Sequence, residues 1–352
     1  MSPRRQLRCC ASCFNDRHLK RTIAALTDAE GDCSFCDSAG VAVLQPTRLA
    51  DLFAPLVTIY EEDENGRTLV EWFAEDWNLF NGALMNEAAS VRLLGEILDN
   101  GDVTRNLFRP SERFSSDGLA RWEQLRNELM YVNRYFPDAN IDVERLSSLL
   151  PDLVAEDLPD RWFRARLMDG DTPYAIADMG PPPARRSSHG RANPPGIPYL
   201  YLGSDPVSAI SEVRPHTGET ACVAEFRLDP GLRLIDLRDP RTRLSPFSYG
   251  DEDKIGSLRE DLALLARLGD ELTRPVLPSG AAIDYVPSQY LCELIKNAPH
   301  DGGARAGYDG VIYSSSVGAG INLALFDPDR ATGGAVTQRR VHRVAVELDP
   351  PA

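Results

Sequence analysis

The residues between Arg191 and Pro215 combine side chains that can bind a small polar ligand. This stretch contains two arginines, two tyrosines and one glutamate, Glu212. The sequence Asn-Pro-Pro-Gly at 193–196 predicts a turn, because proline lacks a backbone donor and glycine accepts open backbone conformations. A strand is predicted over 197–202, followed by a short helix that begins at Ser-Asp-Pro and ends before Pro215. Such an arrangement can place a carboxylate, a phenol and a guanidinium around one ligand.

The cysteines indicate a second kind of chemistry. Five of the seven lie before residue 40, which favours a metal site over a disulfide framework. Cys10 and Cys13 form one C-x-x-C pair, and Cys33 and Cys36 form another. This spacing predicts a structural zinc site, because four thiolates complete a tetrahedron and leave no open position for substrate. Cys9 is a spare thiol that replaces Cys10 only with distorted spacing, and two redox pairs or free thiols are the alternative.

Length and composition bound the class of protein that carries these residues. The chain has 352 residues, 43% hydrophobic and 26% charged, as in an ordinary globular protein of two or three domains. A net charge of -15 and a pI of about 4.9 argue against a nucleic-acid partner. The first residues lack an apolar core of signal-peptide length, and no run approaches the ~20 apolar residues that span a bilayer. We therefore expect a cytoplasmic protein that has no membrane partner.

The hydrophobic pattern predicts an α+β protein. Residues 46–150 are mostly helical by apolar spacing, with an acidic turn at 61–65. In the C-terminal half strands outnumber helices and several are joined by short turns, which favours a mixed sheet over a doubly wound parallel sheet. Neither a dinucleotide-binding G-x-G-x-x-G nor a P-loop is present. Predicted strands cover 161–167, 197–202, 221–228, 232–237, 321–326 and 341–348, a glycine-containing turn leads into another strand within 306–313, and predicted helices cover 18–26, 258–272 and 285–297.

Five polar residues of the C-terminal half, together with the sequence around them, resemble the RES domain. This family is named for its arginine, glutamate and serine. They are Arg164, Arg191 and Tyr201 in and before GRANPPGIPYLYL, Glu212 in SDPVSAISE, and Ser315 in YDGVIYSSS. Many RES domains carry a tryptophan after the Gly-Arg step, where this chain has Ala-Asn. The resemblance implies a fold related to ADP-ribosyltransferases. It also implies degradation of NAD+, by phosphorolysis where characterised, in toxins of toxin–antitoxin systems.

The resemblance also predicts the domain organisation. A four-cysteine zinc knuckle occupies 1–45, a helical domain 46–155, and the RES domain 160–350. The first two resemble the zinc-knuckle, HEPN-like region that is joined to some RES domains. Together these features predict a mostly helical N-terminal domain followed by a mixed-sheet, ADP-ribosyltransferase-like C-terminal domain.

For NAD+ cleavage the resemblance implies a role for each polar residue. Glu212 would stabilise the oxocarbenium-like ribose cation, because an adjacent carboxylate offsets its positive charge. Arg164 and Arg191 would bind the pyrophosphate and the incoming phosphate, since guanidinium groups contact phosphate bidentately. Arg166 is the alternative to Arg164, because FRAR offers two registers. Tyr201 would stack on nicotinamide or hold the ribose.

Four further residues complete the predicted site. Ser315 would donate to a phosphate or ribose oxygen, and Ser314 is its alternative in the serine triplet. Tyr199 is two residues from Tyr201, which predicts that both phenols share one face of the strand. Gln289 lines the site or supports the fold. Each predicted residue also has a structural interpretation when taken alone, such as a glutamate on a solvated helix or serines in a polar turn.

The expected substrates are NAD+ and phosphate, with structural Zn²⁺ and an antitoxin or immunity protein as a partner; a homo-oligomer is left open. Two other functions compete with NAD+ phosphorolysis. An ADP-ribosyltransferase would use the same fold and transfer ADP-ribose to a protein or nucleic acid. A non-enzymatic, zinc-bearing interaction module would bind a partner without turning over any nucleotide.

Overall fold

The computed structural model describes residues 7–27, 29–299 and 307–345. The chain forms two compact units, each built from two separated segments of sequence. The first consists of Met1–Arg121 with Asp239–Leu265, and the second of Trp122–Arg238 with Ala266–Ala352. The predicted domain boundaries near residues 45 and 155 stay a prediction.

The helices and strands follow the predicted α+β class. The helices are α1 Arg17–Leu26, α2 Ala50–Thr58, α3 Leu69–Trp77, α4 Glu87–Leu98, α5 Gly118–Tyr131, α6 Val143–Leu149, α7 Pro206–Glu212, α8 Glu252–Thr273, α9 Ala281–Asp284 and α10 Val286–Asn297. The strands are β1 Cys9–Cys10, β2 Ala29–Gly31, β3 Val41–Leu44, β4 Tyr60–Arg67, β5 Phe108–Pro110, β6 Trp162–Leu167, β7 Leu200–Gly203, β8 Thr220–Leu228, β9 Leu234–Asp236, β10 Gly310–Ser314, β11 Ile321–Leu325 and β12 Ala331–Arg340.

The acidic turn predicted at 61–65 is wrong, because these residues belong to strand β4. This strand pairs antiparallel with β5. Arg109 of β5 contacts the carboxylates of Glu61 at 2.7 Å and Asp63 at 3.1 Å. Pairing across the two strands offsets the repulsion between neighbouring acidic side chains, so a sequence that disfavours a strand in isolation forms one here.

The C-terminal mixed sheet is confirmed. Seven strands form it in the order β12-β8-β6-β7-β11-β10-β9. Neighbours run antiparallel except β9 and β10, which are parallel. One face is a buried apolar cluster that includes Trp162, Leu200, Leu202, Leu323 and Leu325. The side chains that alternate with these on β7 and β11 are therefore directed to the opposite face.

The last strand lies earlier than predicted. A strand was expected over 341–348, whereas β12 ends at Arg340, 341–345 is irregular, and 346–348 lies outside the described residues. The glycines of β12 weaken its strand signal in the sequence. A Cβ on Gly333 would lie 2.6 Å from the end of the Ile176 side chain, so a larger residue here would require Ile176 to shift. Pairing along β8 supplies the strand that local propensity does not predict.

Other elements also differ in their bounds. Helix α8 begins six residues before the predicted 258–272 helix, and β7 begins at Leu200 instead of residue 197. Within the described ranges, no helix combines the length and the hydropathy that crossing a membrane requires.

Candidate active site

A cavity of about 350 Å³ lies in the second unit, and it contains four of the predicted site residues. Strands β6, β7, β10 and β11, helix α7 and the loop before β7 contribute to it. Its lining consists of Phe163, Arg164, Ala165, His189, Gly190, Arg191, Tyr201, Leu202, Gly203, Ala209, Glu212, Val213, Tyr285, Tyr313 and Asn322.

Glu212 is held at the exposed side of this cavity by two donors. It is the last residue of α7, whose first turn is capped by the Asp205 carboxylate accepting from the Ser208 N–H. Its Oε1 atom accepts hydrogen bonds from Ser315 Oγ at 2.8 Å and from Asn322 Nδ2 at 2.6 Å. No described residue donates to Oε2. The carboxylate is therefore oriented through one oxygen and retains the other for a ligand.

Close packing of α7 on the sheet sets the position of Glu212. A Cβ on Gly203 would lie 2.8 Å from the backbone nitrogen of Ala209. A Cβ on Gly320 would overlap the side chains of Ser208 and Asp205. Any larger residue at either glycine would push α7, and with it the carboxylate, away from the sheet.

Arg164 lies where β6 and β7 separate. These strands pair only at Phe163 and Gly203, and Arg164 Nη1 donates instead to the carbonyl of Tyr201 at 3.2 Å. Its Nε is buried and has no partner, and no described carboxylate lies within ion-pair distance. Burial, together with the charge of Arg166, lowers the pKa of Arg164 to about 10. This unpaired cation favours an anionic ligand.

Arg191 is the second cation of the cavity, and it is 9% exposed. Nη1 donates to the carbonyl of Arg274 at 2.7 Å, and Nη2 donates to Ser316 Oγ at 3.2 Å. The guanidinium lies over the ring of Tyr285, 5.4 Å from its centroid. Its backbone carbonyl accepts from Ser288 Oγ at 2.6 Å. In the described part of the chain, no carboxylate pairs with Arg191, so its charge is also available to an anion.

Tyr201 holds the loop that carries Arg191. Its hydroxyl donates to Asn193 Oδ1 at 2.7 Å and accepts from the N–H groups of Ala192 at 3.0 Å and Asn193 at 3.2 Å. Burial raises the pKa of this phenol, which keeps it protonated. A Cβ on Gly190 would overlap both Asn193 and Tyr201. Ala192 and Asn193, where this chain departs from many RES domains, therefore hold the loop through hydrogen bonds with the Tyr201 hydroxyl. The ring of Tyr201 lines the cavity.

Two predicted residues, Tyr199 and Arg166, lie outside the cavity lining and contact other parts of the second unit. Tyr199 precedes β7, so the predicted two-residue alternation with Tyr201 does not apply to it. Its ring packs 4.9 Å from Phe326 and its hydroxyl donates to Glu293. Arg166 donates to the carbonyl of Asp178 and covers the ring of Tyr174. Of the two registers offered by FRAR, only Arg164 lines the cavity.

Gln289 and the serine triplet have distinct positions. Gln289 Nε2 donates to the carbonyl of Gly190 at 2.8 Å and thereby stabilises the loop that carries Arg191. Gln289 itself does not line the cavity. Ser314 ends β10 opposite Ile321. Ser315 contacts Glu212, and Ser316 contacts Arg191. The triplet therefore connects the candidate carboxylate with one candidate cation.

Asn322, Ser316, Tyr313 and Tyr285, whose ring contacts Arg191, lie near the site and were not predicted from the sequence. Asn322 and Ser316 contact Glu212 and Arg191, as described above. Tyr313 lines the cavity with a 4% exposed side chain, and its hydroxyl has no hydrogen-bond partner within the described ranges. Asn322 is 3% exposed within the apolar strand INLAL. A lone amide at such a position is the one sequence signal that points to a buried polar contact.

The four predicted metal ligands meet in the first unit. Their Sγ atoms all lie within 4.8 Å of one another, and all four side chains are buried. Cys10 and Cys36 are 3.5 Å apart, and Cys13 and Cys33 are 3.4 Å apart. Tetrahedral zinc–thiolate bonds of about 2.3 Å place sulfurs about 3.8 Å apart. The cluster therefore fits a zinc ion, and Cys9 is not part of it.

Comparison with known proteins agrees with the resemblance seen in the sequence. A family model described as the RES domain matches residues 161–346. No match was found among curated proteins. A chain of the M. tuberculosis MbcT–MbcA toxin–antitoxin complex is similar at 13% identity and a TM-score of 0.31, over 56% of this chain and 93% of that chain. This structural similarity is too low to assign a function.

Proposed function

The chain belongs to the RES domain family, and on that premise we propose that it cleaves NAD+ at the nicotinamide–ribose bond. One observation carries the proposal. Glu212, oriented by Ser315 and Asn322, shares a cavity with two arginines that lack carboxylate partners. NAD+ combines a sugar that becomes cationic on cleavage with phosphates that need cations, so its chemistry matches both parts of the site.

In the proposed reaction the bond between ribose C1″ and the pyridinium nitrogen breaks. Nicotinamide leaves with the bonding electron pair and becomes neutral, while positive charge develops on C1″ and the ring oxygen. Glu212 Oε2 would face this charge, because Oε1 is held by its two donors. A phosphate oxygen then attacks C1″ and forms ADP-ribose 1″-phosphate. The carboxylate acts by stabilising the transition state and does not form a covalent bond.

The arginines act on phosphate groups in this scheme. Arg191 is fixed by two hydrogen bonds and Arg164 by one, so their positions are set before a ligand enters. Preorganised positive charges stabilise the bound phosphate groups while the phosphate oxygen attacks C1″, and they need not reorganise at the moment of reaction. The rings of Tyr201, Tyr285 and Tyr313 supply flat walls on which a nicotinamide ring can stack.

A phosphate-dependence assay tests the proposal. The purified protein is incubated with NAD+ across a range of phosphate concentrations, and the products are identified by mass spectrometry. We expect nicotinamide and ADP-ribose 1″-phosphate, with a rate that rises with phosphate. Free ADP-ribose without phosphate would indicate a glycohydrolase, and ADP-ribose attached to a macromolecule would indicate a transferase. Unchanged NAD+ at high enzyme concentration overturns the proposal.

Two further properties belong to the same proposal. Zinc held by Cys10, Cys13, Cys33 and Cys36 would stabilise the first unit and take no part in the reaction, because four thiolates fill its coordination. NAD+ depletion would make the protein a toxin of a toxin–antitoxin or defence system, controlled by an antitoxin. The HEPN-like nature of 46–155, the ADP-ribosyltransferase-like fold and the cytoplasmic location stay predictions from the sequence.

A further inference from the structure

A second, larger cavity of about 1170 Å³ lies beside the candidate active site. It is bounded by the end of α7, the turn after Ser315 and residues 340–345. Ser315 lines this cavity, Glu212 lines the smaller one, and the 2.8 Å hydrogen bond between them connects the two linings. We refer to the larger cavity as the basic groove, after Arg214, Arg340 and Arg343, which line it.

The charge of the basic groove is unusual for this chain. It is lined by three arginines and His342, and no acidic residue contributes to it. In the residues that the structure describes, Arg214, Arg340 and Arg343 form no ion pair. The chain as a whole has a net charge of -15. A local cluster of unpaired cations in an acidic protein attracts anionic ligands to this position.

The same groove has an exposed apolar wall. Val207 is 73% exposed, Val317 is 40% exposed and Val344 is 46% exposed, and all three line the groove. Inorganic phosphate alone makes no use of such a surface. A purine nucleotide uses both parts, because its base packs on aliphatic side chains and on guanidinium planes while its phosphates pair with arginine.

The size of the smaller cavity indicates that a dinucleotide must extend beyond it. Pockets for drug-sized ligands occupy about 300–1,000 Å³, and about 350 Å³ lies at the lower end of that range. We propose that the basic groove binds the adenylate half of the dinucleotide, while the nicotinamide mononucleotide half occupies the smaller cavity beside Glu212. The inference rests on the proposed function for the choice of dinucleotide.

Backbone strain at Arg214 supports a functional role for this side chain. Arg214 follows α7 with a φ of 48°, in the left-handed region. Glycine is the usual residue at this position after a helix, because it adopts the conformation without a Cβ penalty. Strained residues of this kind occur preferentially at ligand sites. A change of Arg214 to Gly would relieve the strain and remove the side chain with its guanidinium, so the variant tests binding without adding strain to the backbone.

The experiment compares Arg340→Gln/Arg343→Gln with Arg339→Gln in the full chain. Arg339 is exposed and precedes Arg340 on β12, so its side chain points to the other face and does not line the groove. Calorimetry measures ADP binding without any turnover. We expect each lost guanidinium to weaken ADP binding about tenfold, with Arg214→Gly acting similarly and Arg339→Gln binding as wild type. Thermal unfolding verifies that every variant is folded.

A second measurement tests which half of NAD+ occupies the basic groove. Nicotinamide mononucleotide lacks the adenylate half of NAD+ but retains the scissile bond. The double variant should lower kcat/KM for NAD+ at least about tenfold and leave that for the mononucleotide within about twofold. The protein could bind ADP through Arg340 and Arg343 and still leave NAD+ intact. That result would support the groove as a nucleotide site and refute the proposed function.

Two outcomes overturn the inference. One is wild-type ADP affinity in both the double variant and Arg214→Gly. The other is a raised KM for inorganic phosphate with unchanged ADP binding, which would assign the groove to the free phosphate acceptor.

Discussion

Arg191 donates from Nη1 to the backbone carbonyl of Arg274 at 2.7 Å, which couples the candidate site to a buried ion cluster. Arg274 Nε lies 3.0 Å from the carboxylate of Glu271, which also contacts Arg126 at 2.8 Å and Arg267 at 2.7 Å. The Glu271 side chain is fully buried. One carboxylate thus offsets three guanidinium groups and fixes the backbone that positions Arg191.

We predict that Glu271→Gln destabilises the protein by about 3–5 kcal/mol, because it leaves three arginines without their common buried partner. Urea unfolding measures the change in the free energy of unfolding. Glu123→Gln is the matched control. Glu123 contacts Arg267 at 2.6 Å but is 46% exposed, so its loss should cost less than about 1 kcal/mol. Equal stability of the two variants would refute the role assigned to Glu271.

Glu212→Gln should lower kcat for NAD+ by about 10²–10³, because it removes the negative charge that faces the ribose cation. The melting temperature should stay close to that of wild type, since Glu212 is exposed. Glu144→Gln changes another exposed helical glutamate outside the cavity and should retain full activity. Full turnover in Glu212→Gln would remove this residue from the reaction.

Tyr201→Phe should destabilise the protein by about 1–3 kcal/mol, because two backbone N–H groups and the Asn193 side chain lose their shared partner. The KM for NAD+ should also rise as the Arg191 loop loosens. Tyr135 is 83% exposed, so Tyr135→Phe should leave both quantities unchanged. Chemical denaturation measures the stability, and steady-state kinetics measures the KM. Wild-type values of both in Tyr201→Phe would contradict the role assigned to the Tyr201 hydroxyl.

Arg164→Met should stabilise the ligand-free protein while weakening its response to phosphate compounds. Burial lowers the pKa of Arg164 from its ordinary value to about 10. The unfolded chain therefore binds the proton more tightly, and the resulting penalty to stability is present below about pH 10 and is relieved as the pH rises from there toward the ordinary arginine pKa. Removing the charge should raise the melting temperature at pH 7, and pyrophosphate should then add less stabilisation than it adds to wild type.

Arg161→Met provides the comparison for Arg164→Met. Arg161 lies immediately before β6, its side chain is 59% exposed, and it pairs with Glu225 at 3.4 Å. Its replacement should change the melting temperature little and leave the pyrophosphate response intact. A marked loss of stability in Arg164→Met would show that the buried guanidinium stabilises the fold and would contradict its role in binding an anion.

Metal analysis should find about one zinc per chain, held by the four-cysteine cluster. Cys33→Ser should lose this zinc and lower the melting temperature of the first unit, because metal binding contributes directly to folding. Cys9 is buried on the same strand as Cys10 but lies outside the cluster, so Cys9→Ala should retain the metal. Full zinc content in Cys33→Ser would exclude the predicted ligand set.

Much of the site was predictable from the sequence because local patterns specify it. Each C-x-x-C pair places two thiols close together, and the turn, strand and short helix after Arg191 deliver Tyr201 and Glu212 to one cavity. These features depend on neighbours within a few residues, where proline, glycine and alternating side chains restrict the backbone. The family resemblance supplied Arg164 as a distant member of the same set.

Tertiary structure decided which atoms meet. The separation of β6 from β7 gives Arg164 a place in the cavity, whereas Arg166 contacts the carbonyl of Asp178 and lies outside it. The start of β7 after Tyr199 cancels its predicted alternation with Tyr201. Asn322 reaches Glu212 across 110 residues of sequence. Strand pairing and helix packing fix such contacts, and both depend on surfaces that form only when distant segments fold together.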